Sequence, residues 1–259
     1  MFLICFNFYF HDKINSMEEK KTTVLNCPVD LLNANDALSK ASCALNSNSN
    51  FQIITINPEM IMNAQKNAEF MSIIKSSDMN IPDGVGVKIA LKLKKINQDN
   101  IRGVDFARSL IKLAAENNYK IGFFGAKEEV IQKVKENFLN KYPNLNIVYL
   151  RNGYFSDDTE IIDEITSASP QILLVGLGSP KQEEIISKLK NKLKGCVMIG
   201  VGGSFDVFSG MVKESPVIFQ KLGLEWLYRT VKEPKRLKRI FPVLPIFLIK
   251  CIIDTKKKD

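Results

Sequence analysis

The segment Pro82-Asp83-Gly84-Val85-Gly86-Val87 places one carboxylate in a glycine-flanked turn ahead of a helix. An aspartate there either caps the helix or serves as a general base, because the glycines leave room for a substrate beside it. The local sequence leaves both readings open. Asp206, after Gly202-Gly203-Ser204-Phe205, carries the same ambiguity. Gln182 and Glu183 fall on the first turn of another helix, where a satisfied helix start is the plain alternative. Four glycine-rich or polar turns follow apolar runs: Thr55–Pro58, Gly125-Ala126, Gly176–Pro180 and Gly200–Ser204. In such turns, backbone N–H groups and helix N-termini can approach a phosphate. One such turn means little, but four on one sheet edge favour a nucleotide site. Thr55, Asn57, Gly125, Gly178, Gln182, Gly202 and Asp206 are therefore candidate binding residues.

What is missing narrows the chemistry. There is no G-x-G-x-x-G and no G-x-x-x-x-G-K-[ST], which disfavours a dinucleotide oxidoreductase and a P-loop nucleotidase. The only histidine is His11, so Ser-His or Cys-His catalysis and histidine metal sites are not expected. No Asp-x-Asp pair is present to hold a metal on a diphosphate, and no metal or cofactor is expected. A leaving diphosphate would then need cationic side chains. Of the net charge of +8, the stretch from Arg229 to Asp259 supplies +7, from ten Lys/Arg and three Asp/Glu. Arg229, Lys232, Arg236 and Arg239 recur at steps of three and four, along one side of a helix. Arg229, Arg236 and Arg239 are the candidates for diphosphate or lipid headgroups, since the planar guanidinium suits phosphate oxygens.

These residues need a scaffold. Gln52–Asn57, Lys120–Gly125, Asn146–Arg151, Ile172–Gly178 and Val197–Gly202 read as strands. Helices follow from Pro58, after Gly125 through about Lys141, and from Pro180. Apolar strands alternating with helices predict an α/β fold: a Rossmann-like, mainly parallel sheet with helices on both faces. Residues 17–223 are expected to form this core, and 224–259 a basic and apolar helical appendage. Within the appendage, Ile240–Ile253 is interrupted by Pro242, Pro245 and Lys250, which suits a membrane interface rather than a span. Residues 1–16 lack the basic start and cleavage site of a signal peptide and are expected to be a misread start or disordered leader. The five scattered cysteines, without a C-x-x-C pair, suit a reducing cytoplasm.

The segments ITINPEMIMNAQKN (54–67), PDGVGV (82–87), RGVDF (102–106), FFGA (123–126), LLVGLGSPKQE (173–183), GVGGSFDVFSG (200–210) and GLEWLYR…EPKRLKR (223–239) together resemble the WecG/TagA/CpsF glycosyltransferase family. The resemblance runs from about Val24 to Arg239. It implies a Rossmann-like inverting transferase without a metal ion. Such an enzyme takes a UDP-sugar donor and a polyprenyl-diphosphate-linked acceptor at the inner face of the cell membrane, as a peripheral protein. The TagA-type branch moves N-acetylmannosamine to the 4-hydroxyl of GlcNAc-diphospho-undecaprenol in a β-1,4 link for teichoic acid; other branches use other hexoses or the uronic acid. By the same resemblance Asp83 is the base, Arg102 an active-site arginine, and Thr55, Asn57, Gln182 and Asp206 pocket residues. Arg229, Arg236 and Arg239 match appendage arginines on the diphosphate. Glu214 stands where a basic residue is expected, which weakens a phosphate role for that segment.

Two other classes compete. An NAD(P)-dependent oxidoreductase would need the glycine fingerprint that is missing. A non-catalytic nucleic-acid or lipid-binding module would use the basic tail, yet the distinctive motifs lie outside it. No nucleic-acid partner is expected, and a mobile apolar tail would favour a homo-oligomer.

Overall fold

The computed structural model describes residues 20–221, 225–232 and 237–256, with side chains at 221, 226, 229, 230, 232 and 237–241 outside that description. The expected leader (1–16) and Arg236 lie outside the described residues. So do the side chains of Arg229 and Arg239, whose backbone is helical.

The chain enters through an antiparallel hairpin, β1 (Lys21–Val24) and β2 (Cys27–Asp30). Its two turn residues, Leu25 and Asn26, both have positive φ, 48° and 65°, the geometry that matches the twist of paired strands. The central sheet has six strands in the order β4-β3-β8-β7-β5-β6, and every pairing is parallel. They are β3 (Phe51–Ile56), β4 (Met79–Pro82), β5 (Ile121–Gly125), β6 (Ile147–Arg151), β7 (Ile172–Gly176) and β8 (Val197–Gly200). The five strands read from sequence are present, but the last residues of three runs leave the sheet and form turns. β4 and the hairpin were not foreseen. β4 lies at the sheet edge, where its closing Pro82 withholds no central hydrogen bond. Asp30 of the hairpin, 2% exposed, accepts the Asn80 N–H at 2.7 Å and so covers that edge.

The strands bury both faces. Ile53, Met79, Ile81, Ile121, Phe123, Ile172, Leu174, Val197 and Ile199 pack on one side with helices α1 (Ala34–Asn46), α5 (Gly103–Asn117) and α6 (Glu128–Lys141). The alternate residues face the other way. Ile54 and Ile56 meet α2 (Pro58–Ala64), α3 (Ala68–Ser76) and α4 (Val85–Leu93). Phe124, Leu173, Val175 and Met198 meet α7 (Asp158–Ala168) and α8 (Lys181–Lys190). This two-faced burial is why the strands read as continuous apolar runs. α9 (Ser204–Phe208) and α10 (Val217–Lys221) follow β8, then α11 (Glu225–Lys232) and α12 (Leu237–Lys256).

α12 runs through Pro242 and Pro245 and packs on α2 and α4. Phe247 is fully buried and Cys251 3% exposed, in one core with Ile54, Met60 and Val87. Part of the expected appendage is thus built into the core. No helix among the described residues is long and apolar enough to cross a membrane. Phe247→Ala should lower unfolding free energy by about 3–5 kcal/mol, as for large-to-small changes in tight cores. Urea unfolding followed by circular dichroism would measure it. A loss below about 1 kcal/mol would mean that α12 does not share the cooperative core.

Candidate functional site

The carboxyl ends of four adjacent strands, β4, β3, β8 and β7, open into one cleft of about 840 Å³. Ligand crevices of open parallel sheets lie at this edge. Seven sequence candidates line it: Thr55, Asn57, Asp83, Arg102, Gly178, Gln182 and Gly202. Gly125 and Asp206 do not. Gly125 ends β5, the next strand beyond the cleft, with φ 130°; a Cβ there would come within 2.3 Å of the Gly176 carbonyl oxygen. Its glycine is needed for strand packing. Asp206 sits on α9, where its backbone carbonyl accepts the Val212 N–H at 3.0 Å and the Ser209 hydroxyl at 2.9 Å.

Asp83 is half-buried where the chain leaves β4. Its N–H donates to the Ile56 carbonyl at 2.9 Å, and the Ile101 N–H donates to the Pro82 carbonyl at 3.0 Å. These bonds hold the ends of β3 and β4 and the entry to α5 together. A Cβ on Gly103 would lie 3.1 Å from Asp83 Oδ2 and 3.1 Å from Thr55 Cγ2. Only glycine lets α5 begin this close to the carboxylate without displacing a neighbour. Asn57 caps α2, its Oδ1 accepting the Met60 N–H at 3.0 Å, which anchors the turn beside Thr55.

Arg102 reaches the cleft edge, but most of its donors are engaged. Nε and Nη2 bond Glu225 at 2.6 and 3.0 Å, while Nη1 bonds Asp105 at 2.6 Å and Gln220 at 2.9 Å. Burial acts to lower its pKa, but Glu225, Asp105 and Glu214 more than offset this and hold the guanidinium charged. Glu214 also pairs with Arg108, which bonds Asp105 at 3.0 Å. Glu214 therefore extends an ion network that runs from the start of α5 to Glu225 of α11.

Gln182 forms part of the cleft floor and is 4% exposed. Its Oε1 accepts the Gly202 N–H at 3.0 Å, and its Nε2 donates to Glu183 Oε1 at 2.7 Å. Glu183 is 1% exposed, and its Oε2 has no hydrogen bond of normal geometry among the described residues. Burial pushes this carboxyl up to about 7, with Glu184 adding to the rise; bonds from Gln182, Ser179 and its own amide oppose it. Asn100 also lines the cleft, with a buried Oδ1 that has no partner among the described residues. Asn100, Glu225, Lys66 and Lys250 were not among the sequence candidates, since no local motif marks them. Among the described residues no group of three or more His, Cys, Asp or Glu could hold a metal ion.

The family described as "Glycosyl transferase WecG/TagA/CpsF family" matches residues 22–259. A Bacillus subtilis protein is 36% identical over 80% of this chain and 80% of its own length. A Bacillus spizizenii protein is 36% identical over 77% of this chain and 78% of its own, and a Staphylococcus aureus protein 34% identical over 85% and 86%. All three bear the name N-acetylglucosaminyldiphosphoundecaprenol N-acetyl-beta-D-mannosaminyltransferase.

Glu183 gives a stability test. Its folded-state pKa is raised from 4.5 to about 7, so the native state holds the proton more tightly than the unfolded chain. This contribution is complete below pH 4.5 and is lost as pH rises through about 7. A shift of that size corresponds to on the order of 3 kcal/mol. Glu183→Gln should remove this decline, so the variant gains on the wild type between about pH 5 and pH 7. Parallel thermal-unfolding curves over that range would instead mean that Glu183 titrates normally.

Proposed function

Since the chain belongs to the WecG/TagA/CpsF glycosyl transferase family, we propose that it transfers N-acetylmannosamine from its UDP derivative to the 4-hydroxyl of GlcNAc-diphospho-undecaprenol. The product is a β-1,4 link, in a teichoic-acid linkage unit or a related surface polymer. The observation that carries this reading is the placement of Asp83: a half-buried carboxylate in the cleft, with Gly103 leaving space beside it.

Asp83 takes the proton of the acceptor 4-hydroxyl as its oxygen attacks the anomeric carbon. The bond to the UDP oxygen breaks on the opposite face, so the configuration inverts. One carboxylate suffices, because the departing diphosphate needs charge stabilisation more than a proton. Arg229, Arg236 and Arg239 are the cations assigned to that role, with no metal ion required. Thr55 and Gln182 shape the sugar pocket, and Asn57 acts through the α2 turn that it caps. The unpartnered Asn100 Oδ1 would accept a hydroxyl or amide hydrogen of the sugar, relieving a buried acceptor. Arg102, tied to Glu225, holds the cleft edge closed on the C-terminal helices.

The protein acts at the inner membrane face, as a peripheral protein. Two features support this reading. The net charge of +7 from Arg229 to Asp259 suits anionic lipid, and the apolar Leu227 and Val231 of α11 are exposed beside it.

The test is UDP release by the full chain with a short-chain GlcNAc-diphospho-prenyl acceptor, in EDTA, across a panel of UDP-sugars. Turnover with UDP-N-acetylmannosamine is expected. Asp83→Asn should lower kcat by about two to four orders of magnitude. Near-normal turnover in that variant would remove Asp83 from the role, and loss in EDTA restored by Mg²⁺ would overturn the metal-free mechanism.

A further inference from the structure

Helix α12 carries two apolar faces. Phe247 and Cys251, four residues apart, are buried against the core. On another side, Ile246, Ile249 and Ile253 are 47%, 57% and 49% exposed. With Lys250 they stand at steps of three and four, so the four residues form one stripe. The stripe starts inside the cleft, since Ile246 and Lys250 both line it. Beyond them, Ile249 and Ile253 lead away along the helix.

Lys66 follows α2, on which α12 packs, and also lines the cleft. The charges lining the cleft among the described residues are Glu59, Lys66, Asp83, Arg102, Glu225 and Lys250. Arg102 is matched by Glu225 and Asp105. Neither Lys66 nor Lys250 has an ion pair among the described residues. A cleft with two unmatched ammonium groups, continuous with an exposed isoleucine stripe, suits a ligand with an anionic head and an apolar tail. A nucleotide diphosphate has the charge but no use for the stripe.

We propose that Lys66 and Lys250 bind the diphosphate of the lipid-linked acceptor, and that Ile246, Ile249 and Ile253 carry the first units of its prenyl chain. This rests on the transferase reading above. The acceptor then enters along α12, with its diphosphate held at the cleft mouth and its sugar pointed inward toward Asp83.

The experiment measures KM of the full chain for donor and acceptor separately. It uses detergent-free GlcNAc-diphosphate acceptors with one short and one longer prenyl chain. Lys66→Ala with Lys250→Ala should raise the acceptor KM about tenfold or more, as expected for lost charge-assisted contacts, with the larger effect on acceptor than on donor. Ile249→Ser with Ile253→Ser should collapse the KM advantage of the longer chain over the shorter. All four side chains are exposed, and circular dichroism would verify folding. A larger rise in donor KM would give the lysines to the nucleotide diphosphate and overturn the proposal. An unchanged acceptor KM would overturn it as well. Should the isoleucine variant keep the chain-length advantage, while losing binding to anionic phospholipid vesicles or shifting from dimer to monomer in sedimentation, the stripe serves a membrane or a second copy instead. Absence of turnover by the wild type with every donor would point to failure of the transferase reading itself.

Discussion

A parallel sheet releases all of its strands at one edge, and the site depends on that constraint. The turns after β3, β4, β7 and β8 meet there because those strands are neighbours. Backbone groups that leave the ladder must find partners, and here neighbouring turns and helix starts supply them. The Asp83 N–H bonds the end of β3, and the Gly202 N–H bonds the Gln182 side chain on the first turn of α8. A carboxylate on such a turn is held by main chain on both sides. Its position therefore follows from strand register, with Ile56 opposite Pro82. The same geometry excludes Gly125, whose turn has its own glycine requirement but emerges one strand too far along.

The C-terminal helices join this edge by charge as well as by apolar contact. Glu225, Arg102, Asp105, Arg108 and Glu214 alternate in sign, and each touches the next. Arg102 and Glu225 have side chains only 17% and 21% exposed, so their two-point contact is less screened than a surface pair. A network shares the ordering of each side chain among several contacts. On the far side of the cleft, Phe247 anchors α12 in the core of α2 and α4. The C-terminal helices are thus held by both ionic and apolar contacts, with Asp254 of α12 also pairing with Lys94 at 3.6 Å.

Much of this was legible in the sequence where the signal is local. Apolar runs marked the buried strands, Pro58 marked the start of α2, and three of the four glycine or polar turns marked the sheet edge where the cleft lies. What escaped notice depends on pairing. β4 spans four residues with a buried Asn80, whose polarity is met only through Asp30, Ser77 and Ile74. The β1–β2 hairpin turns at Leu25-Asn26, without the glycine that signals such a turn. Arg102 looked like a free active-site cation, because Glu225 lies 123 residues away in sequence. Lys66 and Lys250 share no motif and meet only because α12 folds back onto α2. The side chains of Arg229, Arg236 and Arg239, legible as a basic stripe, lie outside the described residues.

Two carboxylates at this sheet edge, Asp83 and Glu183, show why burial alone does not select a base. Glu183 has a strongly perturbed environment: nearly no exposure, an oxygen without a normal hydrogen bond, and a raised pKa. Perturbed groups cluster at functional sites, which would argue for Glu183. Yet Glu183 does not line the cleft, and one of its oxygens is taken by Gln182. A base must come within hydrogen-bond reach of the proton that it removes. Asp83, unlike Glu183, lines the cleft, beside Gly84 and Gly103. Glu183 bears on the site at one remove: it fixes the amide of Gln182, whose oxygen fixes the Gly202 N–H. The unfavourable burial of Glu183 is thus tied to the order of the cleft floor, while the proposed proton transfer is assigned to Asp83 because it lines the cleft.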